Sequence, residues 1–240
     1  MKRLVVDAGN TRIKIGLFCG STLCDLKTYV LKDKKECFNF LKDISYDYAI
    51  LSSVLSQEQT NEILEQLTAS AILLTEATII PITIDYDSRS TLGKDRLANA
   101  VAAFQLVKKN ALIIDVGTCV KFDFVNNEGI YLGGSISPGL QMRFTAMHEH
   151  TENLPLLKNI HATKLIGNST VNSMTSGVMN GAKHEIEGMI KAYQQEFKDL
   201  VIFATGGDVK KLELDQSLPI IYDEHLTLNG LYEILQKQHD

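Results

Sequence analysis

The chain has 240 residues, 45% of them hydrophobic and 22% charged, with a formal net charge of -5 at pH 7. That length suffices for one large domain or two small ones with a buried core, and the acidic balance argues against a general nucleic-acid surface, which needs a clustered basic face. No stretch approaches the ~20 apolar residues that span a bilayer, and the chain opens on a strand pattern without a signal-like segment; no membrane partner and a cytoplasmic location are therefore expected.

Leu4-Val5-Val6 runs into the turn Asp7-Ala8-Gly9-Asn10-Thr11, and the apolar residues from Arg12 to Phe18 then alternate as in a half-buried strand. Strands are expected at 2–8, 12–19 and 22–30, followed by a helix at 33–43, a strand at 47–54, a helix at 56–69 and a strand at 71–75. Ser56 and Gln59 have capping-box spacing at the start of that second helix. Residues 82–86 alternate like a further strand. A polar loop leads from there to Gly93-Lys94-Asp95-Arg96, where an alanine-rich helix begins.

The same opening then recurs. Ala111-Leu112-Ile113-Ile114 ends in Asp115-Val116-Gly117-Thr118, with strands expected at 111–117, 120–126 and 130–137. Pro138-Gly139 starts a helix to about 148. A long helix covers 170–198, a buried strand follows at 200–204, and a final helix runs over 226–238. The fold class is thus α/β, a duplicated βββαβαβ unit, with domains expected at 1–108 and 109–240.

Each Asp-x-Gly turn can handle phosphate, because glycine lets the backbone approach closely and present its N–H groups, while Asn and Thr add donors. Lys14 adds a point charge. A carboxylate at the end of a buried strand is costly unless it meets a metal, water or donor, and two such carboxylates facing each other would hold a cation between phosphates. A single Asp-x-Gly reads more readily as a plain turn after a strand; the two copies with matching flanks reverse that preference in favour of phosphate. His148-Glu149-His150 lies far in sequence from the cysteines and the other histidines, and there is no HExxH pattern, so zinc is not expected. The four cysteines, at 19, 24, 37 and 119, show no CxxC pairing, and reduced thiols are expected.

The duplicated unit resembles the actin, sugar kinase and heat-shock ATPase superfamily, in which nucleotide phosphates sit between two ribonuclease H-like domains. Asp7-Ala-Gly-Asn-Thr-Arg-Ile-Lys14, Leu92-Gly-Lys-Asp-Arg96, Asp115-Val-Gly-Thr118, Gly133-Gly-Ser-Ile-Ser-Pro-Gly139, Gly167-Asn-Ser-Thr170 and Thr205-Gly-Gly207 together resemble the type III pantothenate kinases over nearly the whole chain. The resemblance implies ATP-dependent phosphorylation of pantothenate to 4'-phosphopantothenate, the first step towards coenzyme A. It makes Asp95 the catalytic base and Arg96 the partner of the substrate carboxylate, with Gly93, Lys94 and Tyr86 lining the same pocket and Thr170 reaching substrate across a dimer interface. It assigns Asp7, Ala8, Gly9, Asn10, Thr11, Arg12, Ile13 and Lys14, together with Thr118, to ATP. Magnesium travels with the nucleotide, helped by Asp7 directly or through water, and Asp115 helps to hold a monovalent cation, K+ or NH4+.

Many relatives carry a further threonine shortly after the second turn, where this chain has Cys119-Val120-Lys121-Phe122-Asp123. Lys121 either adds charge near the phosphates or lies on the solvated face of its strand, the reading favoured here; Asp123 is equally open. A homodimer follows from the resemblance, and Met174, Val178, Met189 and Ile190 offer either an apolar surface for it or the inner face of a core helix. The competing readings are a kinase of the same superfamily acting on another small alcohol and a non-catalytic regulatory relative, against which the intact Asp95 argues.

Overall fold

The computed structural model describes residues 1–67, 70–158 and 164–239. The chain divides into two compact units, Met1–Leu106 with His225–Asp240, and Val107–Glu224.

In the first unit, β1 (Lys2–Ala8), β2 (Arg12–Cys19) and β3 (Thr22–Val30) form an antiparallel meander, followed by α1 (Lys34–Asp43), β4 (Tyr48–Ser53), α2 (Gln57–Leu64) and β5 (Ala71–Leu73). The strand order is β3-β2-β1-β4-β5, with β4 parallel to both β1 and β5. Leu4, Val6 and Ala8 of β1 and Ile13, Ile15 and Leu17 of β2 point to one face, where Cys37 and Leu41 of α1 and Ile63 cover them. This is the period-2 pattern of a strand meeting the stripe of a helix. Burial pushes the Cys37 thiol up to about 11, which leaves it a small hydrophobe within the core. The unit continues through β6 (Thr83–Ile84) into α3 (Lys94–Val107).

The second unit repeats the plan with β7 (Ala111–Val116), β8 (Cys119–Val125), β9 (Ile130–Pro138), α4 (Leu140–Glu149), α5 (Thr170–Glu196), β10 (Val201–Thr205) and β11 (Ile220–Tyr222). Its strands run β9-β8-β7-β10-β11, the strand order of the first unit again, but the expected second βββαβαβ unit is corrected: both helices precede β10, and only a 3-10 turn, Val209–Lys211, lies between β10 and β11. Leu112, Ile114 and Val116, with Val120 and Phe122, pack on Leu140 and Phe144 of α4 and on Met174, Val178 and Ile186 of α5. Truncating a buried aromatic such as Phe122 to Ala would cost ~3–5 kcal/mol. Ser169 caps α5 by accepting from the Asn172 N–H at 3.2 Å.

Several expectations are corrected by tertiary context. The final helix, α6 (Leu226–Lys237), belongs with the first unit and not with residues 109–224, because it lies against β1, β2 and β4 and stacks Tyr232 on Phe18 at 4.5 Å. The predicted helix at 56–69 ends at Leu64, and residues 68 and 69 lie outside the described residues. The strand expected at 82–86 shrinks to two residues. Met174, Val178 and Ile190 are core residues, with Met189 packed against them, so they offer no dimer surface. Cys19 and Cys24 form a disulfide across the β2–β3 hairpin, next to a register shift between Leu17 and Phe18 that spacing alone does not reveal. Cys37 and Cys119 are free.

Helices α3 and α6 meet backbone to backbone at Gly230, where a Cβ would run into the Ala98 carbonyl, and the Thr227 hydroxyl donates to the buried Asn99 at 2.8 Å beside this contact. Gly230→Ala should destabilise the fold by about 1–3 kcal/mol through overpacking, despite the better helix propensity of alanine. Thermal unfolding checks this: a Tm equal to or above that of the unsubstituted chain would contradict the close approach.

Candidate active site

Asp7 sits at the C-terminal end of β1, on the face opposite the α1 and α2 core, and its direct cross-strand partner is Lys14 of β2. Lys14 makes no ion pair among the described residues. The turn between them is closed by the Gly9 N–H donating to the Arg12 carbonyl at 3.0 Å, leaving Asn10, Thr11 and Arg12 exposed. Ala8 and Ile13 send their side chains into the core, so their contact with a phosphate is restricted to backbone. On the other side of Asp7 in the sheet lies Ser52 of β4, fully buried, whose hydroxyl has no hydrogen-bond partner among the described residues. An unsatisfied buried hydroxyl beside a half-buried carboxylate and a lysine is a donor set suited to a phosphate and a hydrated magnesium ion. Sequence alone does not single out Ser52, since a serine at a strand end carries no signal of its own.

The second turn is built on the same register. Asp115 ends β7 on the face opposite the α4 and α5 core, and its direct cross-strand partner is Lys121. Lys121 is therefore the counterpart of Lys14, a correspondence hidden in the sequence because the two turns differ by one residue. Its role also differs from the expected solvated face: Nζ lies 2.6 Å from Asp115 Oδ2, and both side chains are only 15% exposed. The other carboxylate oxygen faces the Thr205-Gly206-Gly207 turn so closely that a Cβ on Gly206, which has φ +96°, would lie 2.6 Å from Oδ1. With Oδ2 on the Lys121 ammonium, Asp115 already has a counter-charge where a potassium ion was expected. Thr118 is exposed at the tip of this turn, and Thr170 is exposed as the first residue of α5, both in the second unit. Asp123 is fully buried and accepts a 2.7 Å hydrogen bond from the Tyr131 hydroxyl, which identifies it as part of the packed sheet.

The start of α3 gathers the remaining expected residues. Gly93 precedes the helix, Asp95 lies in its first turn, and Asp95 Oδ1 accepts from the Arg96 N–H at 2.9 Å. A Cβ at Gly93 would approach that same oxygen to 2.6 Å, so the absence of a side chain there is what gives the carboxylate its place. Arg96 is 5% exposed, with its guanidinium carbon 6.0 Å from the centre of the Tyr86 ring. Burying a guanidinium favours an anionic partner. A cavity of about 250 Å³ opens beside the helix start, lined by Thr78, Ile82, Ile84, Leu92, Lys94 and Leu97 among others; of the expected substrate residues only Lys94 borders it.

Residues 3–192 match the family model of type III pantothenate kinase. A type III pantothenate kinase of Christiangramia forsetii is 41% identical over 236 residues, covering 97% of each chain, and one of Cytophaga hutchinsonii is 41% identical over 234 residues, with 97% of each covered. Among solved structures, a conserved Campylobacter jejuni protein assigned to the Baf family of transcriptional activators superposes with TM-score 0.64 at 22% identity, covering 98% of both chains. The (R)-2-hydroxyglutaryl-CoA dehydratase component A of Acidaminococcus fermentans does so with TM-score 0.57 at 12% identity over the full length of both. At those identities the structural likeness establishes the fold alone, that of actin-like ATPases and sugar kinases. The near-full-length identity at the sequence level establishes the family: the chain belongs to the type III pantothenate kinases.

Proposed function

We propose that the chain transfers the γ-phosphoryl group of ATP to the primary hydroxyl of pantothenate, giving 4'-phosphopantothenate and ADP. The observation that carries this reading is the start of α3, where the half-buried carboxylate of Asp95 and the buried guanidinium of Arg96 stand next to one another. Arg96 binds the substrate carboxylate through two charge-assisted hydrogen bonds, with Lys94 and Tyr86 beside it. Asp95 accepts the proton of the hydroxyl as its oxygen bonds to the γ-phosphorus and the bond to ADP breaks. Lys14, Asn10, Thr11 and the turn amides bind nucleotide phosphate at the first hairpin, and Thr118 does so at the second. Magnesium, when bound with ATP beside Asp7, neutralises charge on the phosphate oxygens. The potassium or ammonium ion expected at Asp115 is not carried into this reading, since Lys121 already neutralises that carboxylate.

No helix among the described residues is long and apolar enough to cross a membrane, and we place the enzyme in the cytoplasm, where its substrates are. An exposed disulfide such as Cys19–Cys24 is open to reduction there. The expected homodimer, with Thr170 reaching a partner's substrate, is supported by exposed apolar residues of the second unit, Leu132, Ile136 and Val171, rather than by the core positions of α5.

Incubation with ATP, magnesium and a panel of small alcohols, read by mass spectrometry, should give phosphorylated product with pantothenate well above any other acceptor; a better alcohol would reassign the substrate. Asp95→Asn should lower kcat by about 10²–10⁴-fold with KM for pantothenate little changed. An equal loss in kcat and binding would assign Asp95 to binding instead. Gly93→Ala, by displacing the Asp95 carboxylate, should reduce kcat by tenfold or more, on the order of one Asp95 misplacement, while leaving Tm within about 2 °C, the shift of under 1 kcal/mol.

A further inference from the structure

We propose that Lys121 is a built-in monovalent cation: its ammonium supplies the positive charge that Asp115 would otherwise take from potassium or ammonium in solution, so that this kinase works without either ion. The inference rests on the kinase reading above and on three features of the second unit. Lys121 stands directly opposite Asp115 in the antiparallel register of β7 and β8, on the same face of the sheet. The ammonium lies 2.6 Å from Oδ2, and the pair is shielded, each side chain being 15% exposed. The remaining oxygen, Oδ1, lies near the Gly206 turn, where a Cβ would come within 2.6 Å of it. A weakly hydrated monovalent ion and a lysine ammonium carry the same charge, so one fills the electrostatic role of the other; the lysine does so without a binding equilibrium.

The first hairpin provides an internal contrast. Lys14 holds the same register position against Asp7 but makes no ion pair among the described residues, which leaves its charge for a phosphate. Lys121 spends its charge on the carboxylate. The two lysines are positional equivalents with separate tasks, and Lys121 is a positioning residue that acts through Asp115 and the adjoining turns.

The test compares the unsubstituted protein with Lys121→Ala and Lys121→Met in choline chloride, KCl and NH4Cl at equal ionic strength, which separates a specific ion from screening. Turnover of the unsubstituted enzyme should agree across the three salts to within about twofold. Lys121→Ala should lose about tenfold or more in choline, because removing one partner leaves the carboxylate uncompensated, and should recover in KCl or NH4Cl as the ion enters the vacated space. Lys121→Met, which keeps the bulk of the side chain, should lose activity and recover little. Thermal unfolding in the same salts gives a reading independent of turnover: K+ should raise the Tm of Lys121→Ala and leave that of the unsubstituted protein unchanged. Strong activation of the unsubstituted enzyme by K+, or a Lys121→Ala defect confined to KM for ATP and indifferent to salt, would overturn the proposal. Absence of product in every salt would count against the kinase reading alone, and the Tm comparison would still decide the role of Lys121.

Discussion

A carboxylate at the end of a central strand, on the sheet face away from the helical core, is the constraint around which both units are organised. Such a group is costly to desolvate unless a counter-charge or strong donors are at hand. Antiparallel pairing supplies a solution, because the residue directly opposite on the neighbouring strand shares the same face. In each unit that residue is a lysine, Lys14 for Asp7 and Lys121 for Asp115, and of the two only Lys121 forms the ion pair among the described residues. The glycines after each aspartate shape the turn that brings the partner strand back, and the alternating apolar residues on the opposite face tie both strands to their helices.

From this shared plan the two copies diverge by small local changes. The first turn is one residue longer, exposes Asn10 and Thr11, and leaves its lysine uncommitted beside an unsatisfied Ser52 hydroxyl. The second is shorter, and its Asp115 is enclosed between Lys121 and the Gly206 turn. In the proposed reading the acceptor side has a different origin: it belongs to neither hairpin but to the first turn of α3, where the missing side chain at Gly93 admits the Asp95 carboxylate beside the buried Arg96. The proposed function thus assigns phosphate chemistry and acceptor recognition to separate local structures.

Much of this was legible in the sequence, for physical reasons that also explain the failures. The strands of both meanders declare themselves through period-2 alternation and end at Asp-x-Gly turns, so β1, β2, β7 and β8 fall close to their expected bounds, and so does α3 after its Gly-x-Asp-Arg start. Properties that depend on pairing across space were not legible. Lys121 looked like a solvated strand residue because its equivalence to Lys14 requires the register, which a one-residue difference in turn length disguises. The four apolar residues of α5 face the core because the sheet lies on that side, and α6 joins the first unit because Gly230 and Tyr232 find their partners in α3 and β2. The Cys19–Cys24 cross-link depends on a hairpin irregularity, which no spacing rule contains.

The division of labour between the two hairpin lysines is tested most directly by calorimetric titration of Mg·ATP into Lys14→Met and Lys121→Met, each in choline chloride and in KCl. Loss of the uncommitted Lys14 should weaken nucleotide binding by about tenfold, the scale of one charge-assisted phosphate contact, equally in both salts; Lys121→Met should bind nucleotide within a few-fold of the unsubstituted protein. Equal, salt-independent losses for the two variants would show that both lysines contact phosphate, and would contradict the assignment of Lys121 to Asp115.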